Sequence, residues 1–229
     1  MKIQEQKQRA AHHVVNLIES DMVVGLGSGS TATIAIERLG ERLRAGALHN
    51  IVAIPTSEVT ANLAQKHQIP LTTLEQHPTI DLTFDGADEV DPNLNLIKGG
   101  GGALLREKIV AQASRREVII VDEAKLVSQL GTRWFIPVEV VPFGWRTQQI
   151  YLEGLGAEVE LRSTPSGNAF LTDQGNYILD TQFGVIPDAF ALARQLNDRV
   201  GIVEHGLFLD LATEVIVGLD DRVRILQKG

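Results

Sequence analysis

Apolar side chains along the first 130 residues alternate between two spacings. Residues 3–20 repeat at helical intervals, with Ala10, Ala11, Val14, Leu17 and Ile18 near one face, and predict a helix. Met22 to Leu26 is a short apolar run ending in glycines, which reads as a buried strand. The pattern repeats with a helix over 31–45, a strand over 51–54, and a helix from Ser57, a capping residue, to about Gln68. Strands at 80–84 and 118–121 flank a helix at 103–114. Repeated βα units whose strands are continuously apolar predict a mostly parallel, Rossmann-like α/β sheet with helices on both faces.

The pattern changes after residue 130. A strand over 135–141 and a helix over 145–155 precede residues 157–162, where Ala157, Val159 and Leu161 alternate with Glu158, Glu160 and Arg162. That alternation is a half-buried strand. A hairpin is predicted between 169–172 and 177–179 around Asp173-Gln174-Gly175-Asn176. Pro187 opens a helix whose Ala189, Leu192, Ala193, Leu196 and Val200 share a face, and a strand follows at 201–204. The order βαββαβ is the split-βαβ, ferredoxin-like signature of a smaller α+β domain. Strand-like runs at 207–211, 214–218 and 222–226 return to the first sheet. The expected division is therefore residues 1–130 plus 206–229 as the α/β domain, interrupted by 131–205.

Composition narrows the function. Of 229 residues, 44% are hydrophobic and 22% charged, as in ordinary globular proteins. A formal charge of −8 without any Lys/Arg-rich run argues against nucleic acid and anionic lipid as partners, but leaves an anionic small molecule open. With no cysteine, disulfides, thiolate metal sites and a Cys nucleophile are excluded. The N-terminus is polar and helical in pattern, and no apolar stretch reaches membrane-spanning length, so the cytoplasm is the expected location.

Three loops carry candidate chemistry. Gly25-Leu26-Gly27-Ser28-Gly29-Ser30-Thr31 joins a strand to a helix, where free N–H groups and hydroxyls suit an anion. It lacks the lysine of a P-loop and the last glycine of the dinucleotide fingerprint; the alternative is a tight turn with an ordinary cap, and the motif favours phosphate binding by a small margin. Asp85-Gly86-Ala87-Asp88-Glu89-Val90-Asp91 follows the strand at 80–84, where open α/β sheets bind ligands. Asp85 and Asp88 face one ligand if Gly86-Ala87 turns tightly; the alternative is a solvated acidic turn. A metal site is disfavoured because the spacing misses the EF-hand template and no H-E-x-x-H pair exists. Lys98-Gly99-Gly100-Gly101-Gly102 runs into a helix carrying Glu107. Ordering four glycines costs roughly 1 kcal/mol or more each, which suggests a ligand lying against backbone N–H groups. Glu107 by itself reads as a surface residue pairing with Arg106 or Lys108; the adjacent glycine run favours a functional role.

In order and spacing, these loops resemble the A-type ribose-5-phosphate isomerase family. GLGSGST (25–31), DGADEVD (85–91) and KGGGGALLREK (98–108) are joined by VDEAKLV (121–127), PVEVVPF (137–143), GNYILD (175–180) and GIVEHGLF (201–208), so the resemblance covers nearly the whole chain. Ser28 stands where family members commonly have Thr, and the hydroxyl is kept. The resemblance implies an aldose–ketose isomerase of the non-oxidative pentose phosphate pathway. It would interconvert ribose 5-phosphate and ribulose 5-phosphate through an enediolate, without cofactor or metal, as a homodimer. It further implies Glu107 as the proton-transfer base, with Asp85, Asp88 and Lys98 assisting. Ser28, Gly29, Ser30, Thr31, Asp85, Gly86, Ala87, Asp88, Lys98, Gly99, Gly100 and Gly101 would bind substrate. Lys7 and Lys125 join them through the resemblance alone. A sugar-phosphate sensor, a CoA transferase with a Glu nucleophile and a Rossmann dehydrogenase are the rival classes. The sensor has no obvious need for Glu107, the transferase lacks an evident CoA-adenine site, and the dehydrogenase fingerprint is incomplete.

Overall fold

The computed structural model describes residues 2–228. Its first elements are α1 (Lys2–Val15), β1 (Val23–Leu26), α2 (Ser30–Arg44), β2 (Val52–Pro55), α3 (Glu58–Lys66) and β3 (Leu82–Asp85). Then come β4 (Glu89–Val90), β5 (Leu96–Ile97), α4 (Leu104–Gln112), β6 (Glu117–Asp122) and a 3-10 turn (Glu123–Lys125). The remainder is β7 (Ile136–Val140), α5 (Trp145–Gly154), β8 (Glu158–Leu161), β9 (Tyr177–Gln182), α6 (Ala189–Asn197), β10 (Ile202–His205), β11 (Leu207–Phe208), β12 (Glu214–Gly218) and β13 (Val223–Gln227). Packing divides the chain into two compact units. One comprises the chain up to Ala87, Arg106–Lys125 and the chain from Asp210; the other comprises Asp88–Leu105 and Leu126–Leu209.

The first unit is built on a six-stranded sheet in the order β13-β12-β6-β3-β1-β2, parallel throughout except for the edge strand β13. Its inner strands are apolar on both faces because both faces are covered. Val24 and Leu26 of β1 join Ala10 and Val14 of α1 and Ala32 and Leu39 of α2 in one core. The preceding Val23 points the other way, into a cluster with Ile54, Ile80 and Val110 of α4. Ser57 caps α3 by accepting from the Thr60 N–H at 3.1 Å, as the sequence predicts. Strand order reverses at β1, with β2 on one side and β3 on the other, so the carboxyl ends of β1 and β3 form a topological switch point. Among the described residues no helix is long and apolar enough to cross a membrane.

The second unit contains a four-stranded antiparallel sheet in the order β10-β7-β9-β8, with α5 and α6 as its helices. Numbered within the unit this is 4-1-3-2, the arrangement expected of a split βαβ. Val138, Val140, Leu152, Leu179 and Leu196 lie in its core. A small sheet, β11-β5-β4, completes it.

Several sequence expectations are corrected. Residues 88–105 pack with the second unit, not the first, because β4 pairs with β5 and β5 pairs with β11. For the same reason the run at 207–211 does not return to the parallel sheet. Residues 169–172 form no strand: only the Ser163–Ala169 bridge is made, and β9 pairs directly with β8. Helix α1 stops at Val15, short of the predicted residue 20. Helix α6 ends at Asn197, so Val200 leaves the apolar face and is 91% exposed; Gly201, at φ +98, turns the chain into β10.

Candidate active site

The predicted site residues fall in both units, and each group has its own geometry. In the first unit they gather at the carboxyl edge of the parallel sheet. The loop after β1 is held tightly: Gly27 N–H donates to the Phe84 carbonyl at 2.9 Å, and Thr60 Oγ1 donates to the Gly27 carbonyl at 3.1 Å. Ser28 Oγ lies 2.9, 2.9 and 3.1 Å from the hydroxyls of Thr56, Ser57 and Thr60. Its one proton goes to Ser57 Oγ, since the Thr56 and Thr60 hydroxyls donate to the Leu26 and Gly27 carbonyls, and the Ser28 N–H donates to Asp85 Oδ1 at 3.0 Å. Ser28 thus helps to hold the loop, a task not evident from sequence because its partners come from the next βα connection.

Beyond Ser28 the chain opens into α2. Its N-cap is Gly29, at φ +99, which brings no capping side chain. The first helix-closing bond runs from Thr33 N–H to the Gly29 carbonyl at 2.9 Å, so the preceding N–H groups have no intrahelical acceptor. Lys7 of α1 reaches this point, its Nζ 2.9 Å from Ser30 Oγ. An uncapped helix N-terminus with a lysine over it has charge and donor geometry that suit an anion.

Asp85 ends β3 and is 1% exposed. Its Oδ1 accepts from Ser28 N–H and, at 2.7 Å, from Gly86 N–H. A buried carboxylate needs such donors. Gly86 and Ala87 continue the chain from there. Lys125 ends the 3-10 turn at the carboxyl end of β6, the strand beside β3. Glu107 sits in the first turn of α4, where an acidic side chain suits the unpaired helix N–H groups, and it is 5% exposed. The surface reading of Glu107 therefore fails. Its neighbour Arg106 instead takes the outward role, 3.9 Å from Glu58 at the start of α3.

In the second unit Asp88, Lys98 and Gly99 to Gly101 come together. Asp88 N–H donates to the Ile97 carbonyl at 2.8 Å, and Asp88 Oδ2 accepts from Gly100 N–H at 2.9 Å. Lys98 is 3% exposed; its N–H donates to the Gly206 carbonyl and its Nζ lies 5.4 Å from the centre of the Phe208 ring. The loop closes with Gly102 N–H on the Gly99 carbonyl at 2.9 Å. Gly99 and Gly102 have φ of +91 and +87, and a Cβ on either would press within 2.7 Å of Leu104 or Phe170. Two acidic residues of the same motif are structural. Glu89, 1% exposed, accepts from the N–H groups of Gly131, Arg133 and Trp134, and Asp91 accepts from Asn93 and Asn95. Among the described residues no group of three or more His, Asp or Glu side chains is placed to hold a metal ion.

A βα loop at a switch point and a buried carboxylate in the first turn of a helix that follows four glycines describe a specific set of parts. The family model for ribose 5-phosphate isomerase A (phosphoriboisomerase A) matches residues 52–222. The chain belongs to this family. A Chloroflexus aurantiacus protein named ribose-5-phosphate isomerase A is 56% identical over 218 residues, 95% of this chain and 91% of that one. A solved D-ribose-5-phosphate isomerase in complex with phospho-erythronic acid is similar with a TM-score of 0.96 and 42% identity, covering 99% of this chain and all of the other. The ribose 5-phosphate isomerase A of Methanocaldococcus jannaschii gives 0.94 and 41%, covering 98% and 99%. Sequence reasoning missed, beside these family loops, the Thr56–Ser57–Thr60 hydroxyl cluster and Arg162. Of the hydroxyls only Ser57 was visible, as a helix cap, and Arg162 only as the polar side of an alternating strand.

Proposed function

We propose that this protein interconverts ribose 5-phosphate and ribulose 5-phosphate, with Glu107 moving the proton between C2 and C1. The observation that carries the reading is the burial of Glu107, 5% exposed, in a chain of this family. A carboxylate is a weak base for a carbon acid, so it must be fixed in place and the product anion must meet fixed donors. Glu107 takes the C2 proton of the open-chain aldose as electrons move onto the C1 carbonyl oxygen. Lys98 and N–H groups of the glycine loop stabilise the cis-enediolate. The O2 hydroxyl proton passes to O1 with help from Asp85, which also assists ring opening, and Glu107 returns its proton to C1. Asp88 holds the Gly100 N–H and with it the loop.

The phosphate belongs at the start of α2, on Gly29, Ser30 and Thr31 with Lys7, and Lys125 adds charge from the end of β6. Binding there, away from the reacting carbons, supplies energy that positions them. This chemistry needs no cofactor. The same reading places the protein in the cytoplasm as a homodimer. Exposed Val141, Phe143 and Val200 support a self-association surface on the second unit, where Val141 N–H bonds the Gly201 carbonyl.

The test is direct conversion of ribose 5-phosphate by purified protein and by Glu107→Gln. The variant should keep KM near normal and lose at least about a hundredfold in kcat. Near-normal turnover in the variant would remove Glu107 as the base, and no turnover by the native protein would sink the isomerase reading.

A further inference from the structure

Arg162 follows β8, and its side chain is only 13% exposed. Its Nε donates to Asp180 Oδ2 at 2.9 Å and its Nη2 to Asp180 Oδ1, a bidentate pair that fixes the guanidinium plane. The rings of Phe135 and Phe170 stand 5.7 Å from that plane's carbon. The remaining nitrogen, Nη1, points into the glycine loop, 3.0 Å from the Gly100 carbonyl oxygen and 3.4 Å from that of Gly99. Phe170 also fills the space beside Gly102. An arginine used only to close a sheet edge needs no contact with this loop.

The consequence follows from peptide geometry. In a trans peptide the C=O and N–H point in opposite directions. Holding the Gly100 oxygen on Arg162 therefore sends the Gly101 N–H to the other side. Gly101 is exposed, and a Cβ built there meets nothing within 4 Å. Among the described residues no acceptor takes the Gly101 N–H. The neighbouring Gly100 N–H, by contrast, is taken by Asp88. A cation on the carbonyl side of the peptide also polarises it and strengthens the N–H as a donor.

We propose that Arg162, fixed by Asp180, is a positioning residue that presents the Gly101 N–H to the enediolate oxygen of the substrate. This rests on the isomerase reading above. Arg162 touches no substrate atom; it acts by holding one donor in place before the reaction, where such preorganisation has its effect.

The experiment compares native protein, Arg162→Met, Arg162→Lys and Asp180→Asn for kcat, KM and affinity for a four-carbon phosphorylated sugar acid. Its planar carboxylate reproduces the paired oxygens of the enediolate. Arg162→Met should lower kcat by about ten- to a hundredfold while KM moves less than about threefold, and should weaken the acid by about the same factor as kcat. Lysine cannot pair bidentately with Asp180 and reach the loop at once, so Arg162→Lys should not restore kcat. Asp180→Asn, which leaves the arginine in place but unanchored, should show a smaller loss of the same kind. It serves as the test if Arg162→Met does not fold. Unchanged kcat and acid affinity in a folded variant, or a rise in KM alone, would overturn the role. Should the native protein not isomerise the sugar, the isomerase reading falls, and the acid's relative affinity still decides whether Arg162 presents a donor.

Discussion

Gly27→Ala is a small change with a large expected effect, because the space beside Gly27 is already occupied by Asp85. A Cβ there would lie 2.2 Å from Asp85 Oδ1, 2.3 Å from its Cγ and 2.5 Å from its Cα. Rotating the Asp85 side chain relieves the first two contacts but not the third, so backbone must separate by about 1 Å to reach ordinary contact. The loop is pinned on both sides, by Gly27 N–H on Phe84 and by Thr60 on the Gly27 carbonyl. Overpacking of this kind costs about 1–3 kcal/mol. Displacing the carboxylate weakens its bonds from Ser28 N–H and Gly86 N–H; losing one charged-group bond adds about 1.5–3 kcal/mol. Taking the middle of each range, the variant should lose about 4 kcal/mol, or about 8–16 °C in Tm for a chain of this size. It should also lose kcat, because Asp85 moves. Differential scanning calorimetry and the isomerase assay read both. Gly154→Ala is the control: a Cβ meets nothing within 4 Å at this helix-terminal glycine, and the change should be neutral or stabilise by up to about 1 kcal/mol. A Tm drop below about 3 °C with normal kcat in Gly27→Ala would refute the steric argument.

Other outcomes follow from the same structure. Glu139 is wholly buried, with Oε1 accepting from Thr172 and Asn176. Burial raises its pKa above the ordinary value; the bonds from Asn176 and Thr172 oppose this, and repulsion from Glu204 and Asp173 adds to it. The folded state thus holds this proton more tightly than the unfolded chain, so the stabilisation is present at low pH and is lost as pH rises through the raised pKa. Glu139→Gln, which mimics the protonated acid, should gain Tm relative to native protein as pH rises from about 4 to about 8; a difference flat with pH would contradict this. Glu89→Gln should destabilise by about 2–4 kcal/mol in denaturant titrations, since an amide cannot accept from three N–H groups at 131–134 without turning its own donors on one of them. Lys7→Met should raise KM for ribose 5-phosphate at least about tenfold and change kcat less, and an unchanged KM would remove Lys7 from the phosphate. Exhaustive EDTA treatment should leave activity intact, and loss restored by a divalent ion would overturn a metal-free mechanism.

The chain's own pattern specified the parallel sheet, the split βαβ and the three loops, because those depend on short-range periodicity, glycine content and turn chemistry. Continuous apolar runs such as Val118 to Val121 mean burial on two faces wherever they occur, and four glycines before Glu107 mark close approach without further context. What neighbours across the fold decide was not legible. Glu107 alone looked like a solvated residue, and only its seating at the start of α4 makes it a buried carboxylate. Nothing near Ser28 in sequence announces that Thr56, Ser57 and Thr60 gather around its hydroxyl. Glu89, Asp85 and Asp88 are equally acidic in one seven-residue motif, yet one clamps residues 131–134, one ties Ser28 to Gly86, and one holds Gly100. Arg162 lies more than fifty residues from the glycines it touches. A side chain's identity states which bonds it is able to make; its partners, separated by long stretches of chain, are chosen only when packing brings them within hydrogen-bonding distance.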